Sequence, residues 1–327
     1  DFNELKEKMR DVYKNYIQHK KRAKINARII QRLYNKNRFL LNFIETAERG
    51  FCLARTKQRK KVYFINDWRL QDTLGGAQMS MDYLMIKSPV DVCEIRTDEI
   101  KEFPQDGLII FNSLIRFSEK QLKEIATLKN YIIFEHNYSF CLHQDSRHTN
   151  VNNKPCNCPN KKLYQTIYNN ARLMIFMSPL HEKEFRKKFT FHKTWLCPAV
   201  VDTERIPMGK EKDIRNMSIL YPMNHKGVNN VKAWARENGE DVVFIDNGEN
   251  EAVLSLMRRS KNFIFMPNWI EPFGRVVIEA CLSGCKIIGN NNIGALSWGW
   301  DFTNPDEIRK KMEVYPYLFW EKVLENT

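Results

Sequence analysis

Short runs of consecutive apolar residues alternate along most of the chain with longer segments of mixed polarity. Runs such as Tyr131-Ile-Ile-Phe134 are apolar throughout, which is typical of strands that are buried on both faces of a parallel sheet. The segments between the runs are long enough for helices that cross back over a sheet. The pattern therefore predicts an α/β fold, with mostly parallel sheets covered by helices on both faces.

The predicted strands fall into two series, which indicates two doubly wound, Rossmann-like domains. The first series is Val62–Asn66, Val92–Ile95, Leu108–Asn112, Tyr131–Glu135 and Leu173–Met177. The second series is Ser218–Tyr221, Val242–Asp246, Asn262–Met266 and Lys286–Gly289. Helices are predicted near 76–87, 119–128, 162–170, 179–189 and 274–283.

The two domains are predicted at 62–205 and 213–303. Between them, the segment from Cys197 to Lys212 is punctuated by prolines and charges, as is typical of a hinge. Residues 304–327 are predicted to form C-terminal helices, the last of them over Pro316–Leu324.

A basic helical arm is predicted before the first strand. Apolar residues recur there at intervals of three and four, and no proline or glycine precedes Gly50. The arm, taken as residues 1–61, holds 18 Lys and Arg against 6 Asp and Glu, which is +12 of the chain's net +13. We therefore expect a polyanionic partner or surface for this arm.

Three interpretations of the arm stay open. Apolar residues at Phe39–Phe43 beside basic ones favour an anionic membrane surface. Tyrosines interleaved with Lys and Arg favour nucleic acid. A solvated helix that packs on the rest of the protein is the third alternative.

Composition indicates a globular, cytoplasmic protein that is peripheral at the membrane if the arm binds lipid. Hydrophobic residues make up 43% of the 327 positions, and no apolar run approaches the roughly 18–20 residues that span a bilayer. The N-terminus has no signal-peptide pattern, and scattered cysteines are typical of reduced thiols. Because the chain does not begin with Met, we expect a longer protein with a further domain before residue 1.

Two acids eight positions apart, Glu271 and Glu279, stand on either side of a predicted helix start at Gly274. The N–H groups at a helix start lack partners and attract anions or sugar hydroxyls. This two-acid loop follows the carboxyl end of a predicted strand, where open α/β sheets bind ligands. The pattern favours a polar ligand held by both carboxylates. A capping acid plus an unrelated surface glutamate is the alternative.

The sequence Glu271-Pro-Phe-Gly-Arg-Val-Val-Ile-Glu279-Ala, followed by Ser-Gly and a Lys-Ile-Ile-Gly strand, resembles the nucleotide-sugar site of the family-4 retaining glycosyltransferases. The resemblance implies the GT-B fold, in which two Rossmann-like domains face a cleft and the last helix crosses back to the first domain. It also implies that Glu271 contacts the donor sugar beside the amides of Phe273 and Gly274. Glu279 would then bind the ribose hydroxyls.

Further positions match the same family. Gly75 and Gly76 open a helix after the first strand and match the family's glycine loop. Lys226 follows the first strand of the second series, where it would balance the charge of a diphosphate. An arginine that often precedes this lysine is absent, and Arg275 is a candidate for the missing charge. His136, after the fourth strand, is expected to contact the sugar or the reacting centre.

Potential metal ligands cluster after the fourth strand, where Cys141, His143, His148, Cys156 and Cys158 lie within eighteen residues. Thiolate and imidazole are the ligands of tetrahedral zinc. The chain has no Cys-x-x-Cys pair here, and Cys156-x-Cys158 is an awkward spacing for one metal. The prediction is therefore free thiols and no metal. Zinc at Cys141, His143, Cys156 and Cys158 and a disulfide are the alternatives.

The chain contains no Asp-x-Asp sequence, with which many transferases hold a metal-bound donor. No cofactor is expected, because Lys226 and helix starts would stabilise the departing diphosphate. The resemblance thus implies metal-independent hexosyl transfer from a nucleotide-diphosphate sugar, with His136, Glu271 and Lys226 as catalytic residues. Gly294, in the polar loop after the last strand, would face the nucleotide. A glycan or glycolipid is the favoured acceptor. Transfer to a modified base in nucleic acid and a non-catalytic nucleotide-sugar-binding module are the alternatives.

Overall fold

The structure is a computed structural model. It describes residues 61–67, 75–147, 154, 156, 158, 161–220, 226–246 and 250–327. The predicted basic arm, apart from Lys61, lies outside these residues. No helix in the described part of the chain is both long enough and apolar enough to cross a bilayer.

The first domain contains a parallel sheet of six strands in the order β2-β1-β3-β4-β5-β6, counted over the described residues. Its strands are β1 Lys61–Asn66, β2 Asp91–Arg96, β3 Leu108–Phe111, β4 Tyr131–Glu135, β5 Leu173–Phe176 and β6 Thr194–Leu196. Its helices are α1 Gly76–Ile86, α2 Glu119–Ile125, α3 Lys161–Asn170 and α4 Pro179–Arg186. Strands β3, β4 and β5 are buried at every position, because helices cover both faces of the sheet.

The second domain contains a parallel sheet of four described strands in the order β10-β9-β7-β8. Its strands are β7 Ile214–Leu220, β8 Val243–Asp246, β9 Ser260–Phe265 and β10 Lys286–Gly289. The helices that follow are α5 Val228–Asn238, α6 Asn250–Arg259, α7 Arg275–Leu282 and α8 Pro305–Leu324.

The predicted fold class, two Rossmann-like parallel-sheet domains, is confirmed. In the first sheet β2 and β3 lie on opposite sides of β1, and in the second sheet β8 and β9 lie on opposite sides of β7. Successive strands are therefore added on opposite sides of β1 and of β7, and the strand order has a switch point between β1 and β3 and another between β7 and β9. A crevice opens beyond the carboxyl ends of the strands at such a switch point, and ligands of open α/β sheets bind there.

The structure differs from the prediction in two elements whose hydrophobic pattern is weak. Strand β6 was not predicted, since three residues at a sheet edge are too short for a recognisable pattern. The C-terminal segment is one helix that starts at Pro305, and the prediction of several helices is wrong. Asn304 caps this helix by accepting from the Glu307 N–H, and Pro316 is accommodated within it.

The predicted hinge is packed against α8. Cys197 and Val200 are fully buried in the hydrophobic core. Arg309 of α8 donates from Nη1 to the Thr203 carbonyl at 2.6 Å and from Nη2 to the Ile206 carbonyl at 2.9 Å. The connection between the two sheets is therefore hydrogen-bonded to the last helix.

Near its end, α8 contacts the first domain. The Trp320 Nε1 donates to the Leu84 carbonyl of α1 at 2.7 Å, and the ring of Trp320 lies 5.8 Å from that of Phe64 in β1. Phe319 also packs on Phe64. These contacts join the C-terminus of the chain to its first described elements.

Candidate active site

Lys226 and Glu271 form an ion pair at the carboxyl end of the second sheet. They lie on segments that follow the neighbouring strands β7 and β9, and thus at that sheet's switch point. Lys226 Nζ is 2.5 Å from Glu271 Oε2, and the two side chains are 25% and 18% exposed. Such a pair can exchange partners when an anion and hydroxyl groups enter, because each charge then keeps a compensating partner.

Three helices begin beside the two switch points without a side-chain cap. The N-cap residues of α1, α5 and α7 are Gly75, Gly227 and Gly274, none of which can offer a side-chain acceptor. By contrast, the hydroxyls of Ser118 and Ser178 cap α2 and α4. First-turn N–H groups lack intrahelical partners and carry partial positive charge, so the three glycine starts can donate to phosphate or sugar oxygens.

Arg275 and Glu279 form a second ion pair, one turn apart on α7. Arg275 Nε is 3.2 Å from Glu279 Oε1, and the side chains are only 10% and 5% exposed. Arg275 Nη1 also donates to the Gly76 carbonyl in the first domain at 3.2 Å. Burial raises the pKa of Glu279, and the Arg275 charge opposes that rise. Arg275, a candidate for balancing diphosphate charge, is thus engaged with Glu279 and the first domain.

Phe273 and Gly294 hold the two-acid loop in place. The Phe273 side chain is buried in the core. The sequence predicts that Gly294 faces the nucleotide, but its N–H donates to the Glu271 carbonyl at 2.9 Å. A Cβ at Gly294 would lie 2.0 Å from the Pro272 carbonyl oxygen and 2.5 Å from Ser178 Oγ. The absence of a side chain at Gly294 therefore permits its backbone to approach Pro272 of the two-acid loop and Ser178 of the first domain closely.

His136 directly follows β4 and is 6% exposed. Neither ring nitrogen has a hydrogen-bond partner among the described residues. Burial lowers the pKa of His136 to about 3, so its ring is neutral near pH 7 and offers one donor and one acceptor. Unpaired buried polar atoms are costly, which makes His136 a candidate to bind a ligand group such as a sugar hydroxyl. It hydrogen-bonds to neither ion pair.

His136 lines a cavity at the switch point of the first sheet, here called the first-sheet cavity. Asn66, Asp67, Asn112 and Gln144 also line it. Asn112 Nδ2 donates to Asn66 Oδ1, and burial raises the pKa of Asp67. These four residues were not among the predicted site residues. For three of them a signal was present, because Asn66, Asp67 and Asn112 end apolar runs beside the switch point.

Glu135, the last residue of β4, is fully buried next to this cavity wall. Ser139 Oγ lies 2.7 Å from its Oε2 and Tyr168 Oη lies 3.2 Å from its Oε1. Burial raises the pKa of Glu135 to about 8 in spite of these hydrogen bonds. The carboxyl group is therefore protonated below that pH.

The burial of Glu135 predicts a pH-dependent stability. Its folded-state pKa of about 8 lies above the ordinary value of 4.5, so the folded protein binds more protons between those two values. The stabilising contribution is complete below 4.5 and is lost as the pH rises to about 8. We expect the unfolding free energies of wild type and Glu135→Gln to diverge by about 1.4 kcal/mol per pH unit within that window, because glutamine does not titrate.

Urea denaturation across this pH range measures the difference. Glu237→Gln is the matched control, since it makes the same chemical change at an exposed position on α5. The control should follow wild type at every pH. A difference between Glu135→Gln and wild type that stays constant with pH would contradict the assignment.

The sulfur atoms of three cysteines that follow β4 lie close together. Cys141 Sγ lies 3.6 Å from Cys156 Sγ and 3.8 Å from Cys158 Sγ. All three sulfurs are within 4.8 Å of one another, and His143 is not part of the group. His148 lies outside the described residues. The sulfurs of Cys156 and Cys158 thus both lie close to that of Cys141 in spite of the awkward sequence spacing, and whether they bind a metal stays a prediction.

A wider, open groove runs along α5 and β8, lined among others by Lys232, Arg236, Gly239 and Glu240. Several of its residues directly precede β8, so it lies at the amino-terminal edge of that strand. Open α/β sheets bind ligands at the opposite, carboxyl-terminal edge. The two ion pairs and the first-sheet cavity therefore define the candidate site, and the groove does not.

Residues 227–297 match the family described as glycosyl transferases group 1. The matched segment starts directly after Lys226 and contains Glu271, Glu279 and Gly294. The resemblance to glycosyltransferases is thereby confirmed at the level of this group. The match covers most of the second domain and does not include the first sheet.

Several solved structures are similar to the chain at low sequence identity. Alr3699/HepE from Anabaena, in complex with UDP and glucose, is 12% identical with a TM-score of 0.47, over 82% of this chain and 95% of that one. AviGT4, a glycosyltransferase involved in avilamycin A biosynthesis, is 14% identical with a TM-score of 0.45, over 82% and 96%. WaaG, a glycosyltransferase involved in lipopolysaccharide biosynthesis, is 12% identical with a TM-score of 0.42, over 81% and 93%. No curated protein matches the chain in sequence.

Proposed function

We propose that the protein is a retaining glycosyltransferase of the family-4 type, which transfers a hexose from a nucleotide-diphosphate sugar without a metal cofactor. The observation that carries the proposal is the Lys226–Glu271 pair at the switch point of the second sheet. It places a cation and a carboxylate 2.5 Å apart beside the uncapped starts of α5 and α7. A diphosphate needs the cation and the helix N–H groups, whereas a hexose needs a carboxylate that accepts from its hydroxyls.

Donor entry then separates the pair. Lys226 turns to the diphosphate and stabilises the negative charge that develops as the sugar–phosphate bond breaks. Glu271, with the Phe273 and Gly274 backbone, accepts from the sugar hydroxyls and orients the ring. Each charge exchanges one partner for another, so neither is left unpaired in a half-buried site.

The second ion pair, Arg275 with Glu279, would form the part of the donor site that binds the nucleotide. The Glu279 carboxylate is paired with Arg275 by charge and keeps acceptor capacity, so Glu279 can still bind the ribose hydroxyls. Arg275 meanwhile holds the Gly76 carbonyl, which keeps the Gly75–Gly76 start of α1 beside the donor site. His136 supplies a neutral hydrogen-bonding ring from the first domain, close to the sugar that is transferred.

The favoured acceptor is a glycan or glycolipid. The first-sheet cavity is lined by amides, a carboxyl group and the His136 ring, which are hydrogen-bonding partners suited to sugar hydroxyls. The basic residues of 1–61 would hold the protein at an anionic surface that carries such an acceptor.

The test is a donor screen on the full chain. UDP-, GDP- and ADP-sugars are added one at a time, and the melting temperature and the release of free sugar are measured. We expect one nucleotide series to raise the melting temperature and to be hydrolysed slowly without acceptor. The released sugar should keep its anomeric configuration, and omission of Mg²⁺ and Mn²⁺ should not change the rate.

Acceptors are then offered with that donor as glycans, as glycolipids in anionic vesicles and as DNA or RNA. Transfer to nucleic acid alone would overturn the acceptor assignment. Donor binding without turnover on any acceptor would support a non-catalytic binding module instead. No binding of any nucleotide sugar would overturn the proposal as a whole.

A further inference from the structure

The three sulfurs of Cys141, Cys156 and Cys158, here called the thiol cluster, have the spacing of a tetrahedral metal site. Zinc–thiolate bonds are about 2.3 Å long, which places two sulfurs of a tetrahedral site about 3.8 Å apart. The distances from Cys141 Sγ to the other two sulfurs are 3.6 and 3.8 Å. The cluster therefore leaves room for one ion at the centre of its three sulfurs.

A backbone donor also points at the cluster. The Leu142 N–H donates to Cys158 Sγ at 3.3 Å. A neutral thiol is a weak acceptor, whereas such N–H groups commonly orient and stabilise metal-bound ligands. This contact is independent of the sulfur spacing and is one that a metal-bound sulfur at Cys158 would accept.

Neither packing nor a disulfide explains all three thiols. Cys141 is fully buried in the same core as Tyr138 and Phe140, whereas Cys156 and Cys158 pack against that core but stay partly exposed, so packing alone does not require a cysteine at either position. A disulfide would join two of the sulfurs and leave the third unused. One ion engages all three.

Described residues that follow Cys141 lie at the candidate site. Gln144 has a left-handed backbone with φ of 53° and lines the first-sheet cavity with His136. Arg147 is held by Asp145 and lies 5.0 Å from the ring of Trp269 in the second domain. Fixing Cys141 would therefore restrain the residues from 142 to 147, of which Gln144 lines the cavity.

We propose that Cys141, Cys156 and Cys158 bind one Zn²⁺ ion as three of its four ligands and that this ion restrains the residues after Cys141, among them Gln144 at the first-sheet cavity. The thiols lose their protons to solvent as the metal binds. The ion is structural, since it ties together two parts of the loop. The inference does not depend on the identity of the sugar donor.

The test uses the full chain expressed with zinc and dialysed against zinc-free buffer, with metal measured by inductively coupled plasma mass spectrometry. We expect one zinc ion per chain in wild type. Cys156→Ser and Cys158→Ser should each lose most of it, and both sites are partly exposed, so the fold should survive. Cys93→Ser, which alters an exposed cysteine in β2, and His143→Ala should keep a full complement.

Cobalt provides a second readout on the same proteins. Co²⁺ added to metal-free wild type should give the intense sulfur-to-metal charge-transfer absorption of thiolate ligands, and the band should weaken in either cluster variant. Zinc-free wild type that takes up no Co²⁺ would overturn the proposal. Full zinc in Cys156→Ser, or a Cys141–Cys156 disulfide in the protein isolated without reductant, would overturn it equally.

Discussion

Lys226→Ala is expected to lower kcat/KM for sugar transfer by about 10²–10³-fold, the loss that follows removal of one preorganised stabiliser of developing charge. Lys226 directly precedes the start of α5, and its Nζ is 2.5 Å from Oε2 of Glu271 in the loop before α7. The pair is partly exposed, so its removal should change the melting temperature little. Steady-state kinetics and thermal unfolding on the same preparations separate the two effects.

The two members of the pair should affect nucleotide binding in opposite directions. Lys226→Ala removes the cation that a diphosphate requires and should weaken binding of the free nucleoside diphosphate. Glu271→Gln removes the carboxylate that competes for Lys226, so it should bind the nucleoside diphosphate at least as tightly as wild type. Turnover should nevertheless fall in Glu271→Gln, because the sugar loses its charged acceptor.

Lys232→Ala is the matched control, since it removes an exposed lysine from the same helix. Its kinetics and its nucleotide affinity should equal those of wild type. Titration calorimetry with the nucleoside diphosphate of the preferred donor gives the affinities. If Lys226→Ala binds the nucleoside diphosphate and turns over normally, the proposed exchange of partners is wrong. It is also wrong if Lys226→Ala and Glu271→Gln weaken nucleotide binding equally.

Gly227→Ala is expected to destabilise the protein by more than about 4 kcal/mol, which is in the exceptional range for a single substitution. Gly227 starts α5 with φ of +83°. A Cβ there would lie 1.7 Å from the Met266 carbonyl oxygen and 2.4 Å from its carbon. Those are backbone atoms of the segment that follows β9, so they cannot move aside without displacing the neighbouring strand end.

The other end of α5 supplies the control. Gly239 also has a positive φ, of +62°, but nothing lies within 4 Å of a Cβ built there. Gly239→Ala should therefore cost only the left-handed backbone penalty of about 1–2 kcal/mol. Urea denaturation of the two variants isolates the effect of the close approach, and equal losses of stability at both positions would contradict it.

Sequence was sufficient for the longer strands and for the polar residues that follow them. Runs such as Tyr131-Ile-Ile-Phe134 are apolar because helices cover both faces of the sheet, and such runs predict strands without knowledge of their neighbours. The positions of His136 and Glu271 follow for a related reason, because a polar residue after a buried parallel strand lies at the sheet's carboxyl edge, and their roles in a site stay predictions. The short strand β6 lacks such a pattern.

Contacts between distant residues could not be read from the sequence. Lys226 and Glu271 meet across 45 positions because β7 and β9 are neighbours, which depends on strand order. Arg275 and Glu279 are four apart, yet their burial and the bond to Gly76 depend on the first domain. The sequence spacing of the cysteines also did not show that Cys141, Cys156 and Cys158 lie close together, because the path of the loop decides which sulfurs meet.

Helix α8 contacts both domains. Lys311 and Tyr315 contact Trp300 and Trp298, which follow β10 of the second domain, whereas Trp320 is bound to α1 of the first. Pro316 lies between these two sets of contacts and lacks the N–H that would bond to the preceding turn. The helix is therefore easier to bend at Pro316 than at residues whose helix hydrogen bonds are complete.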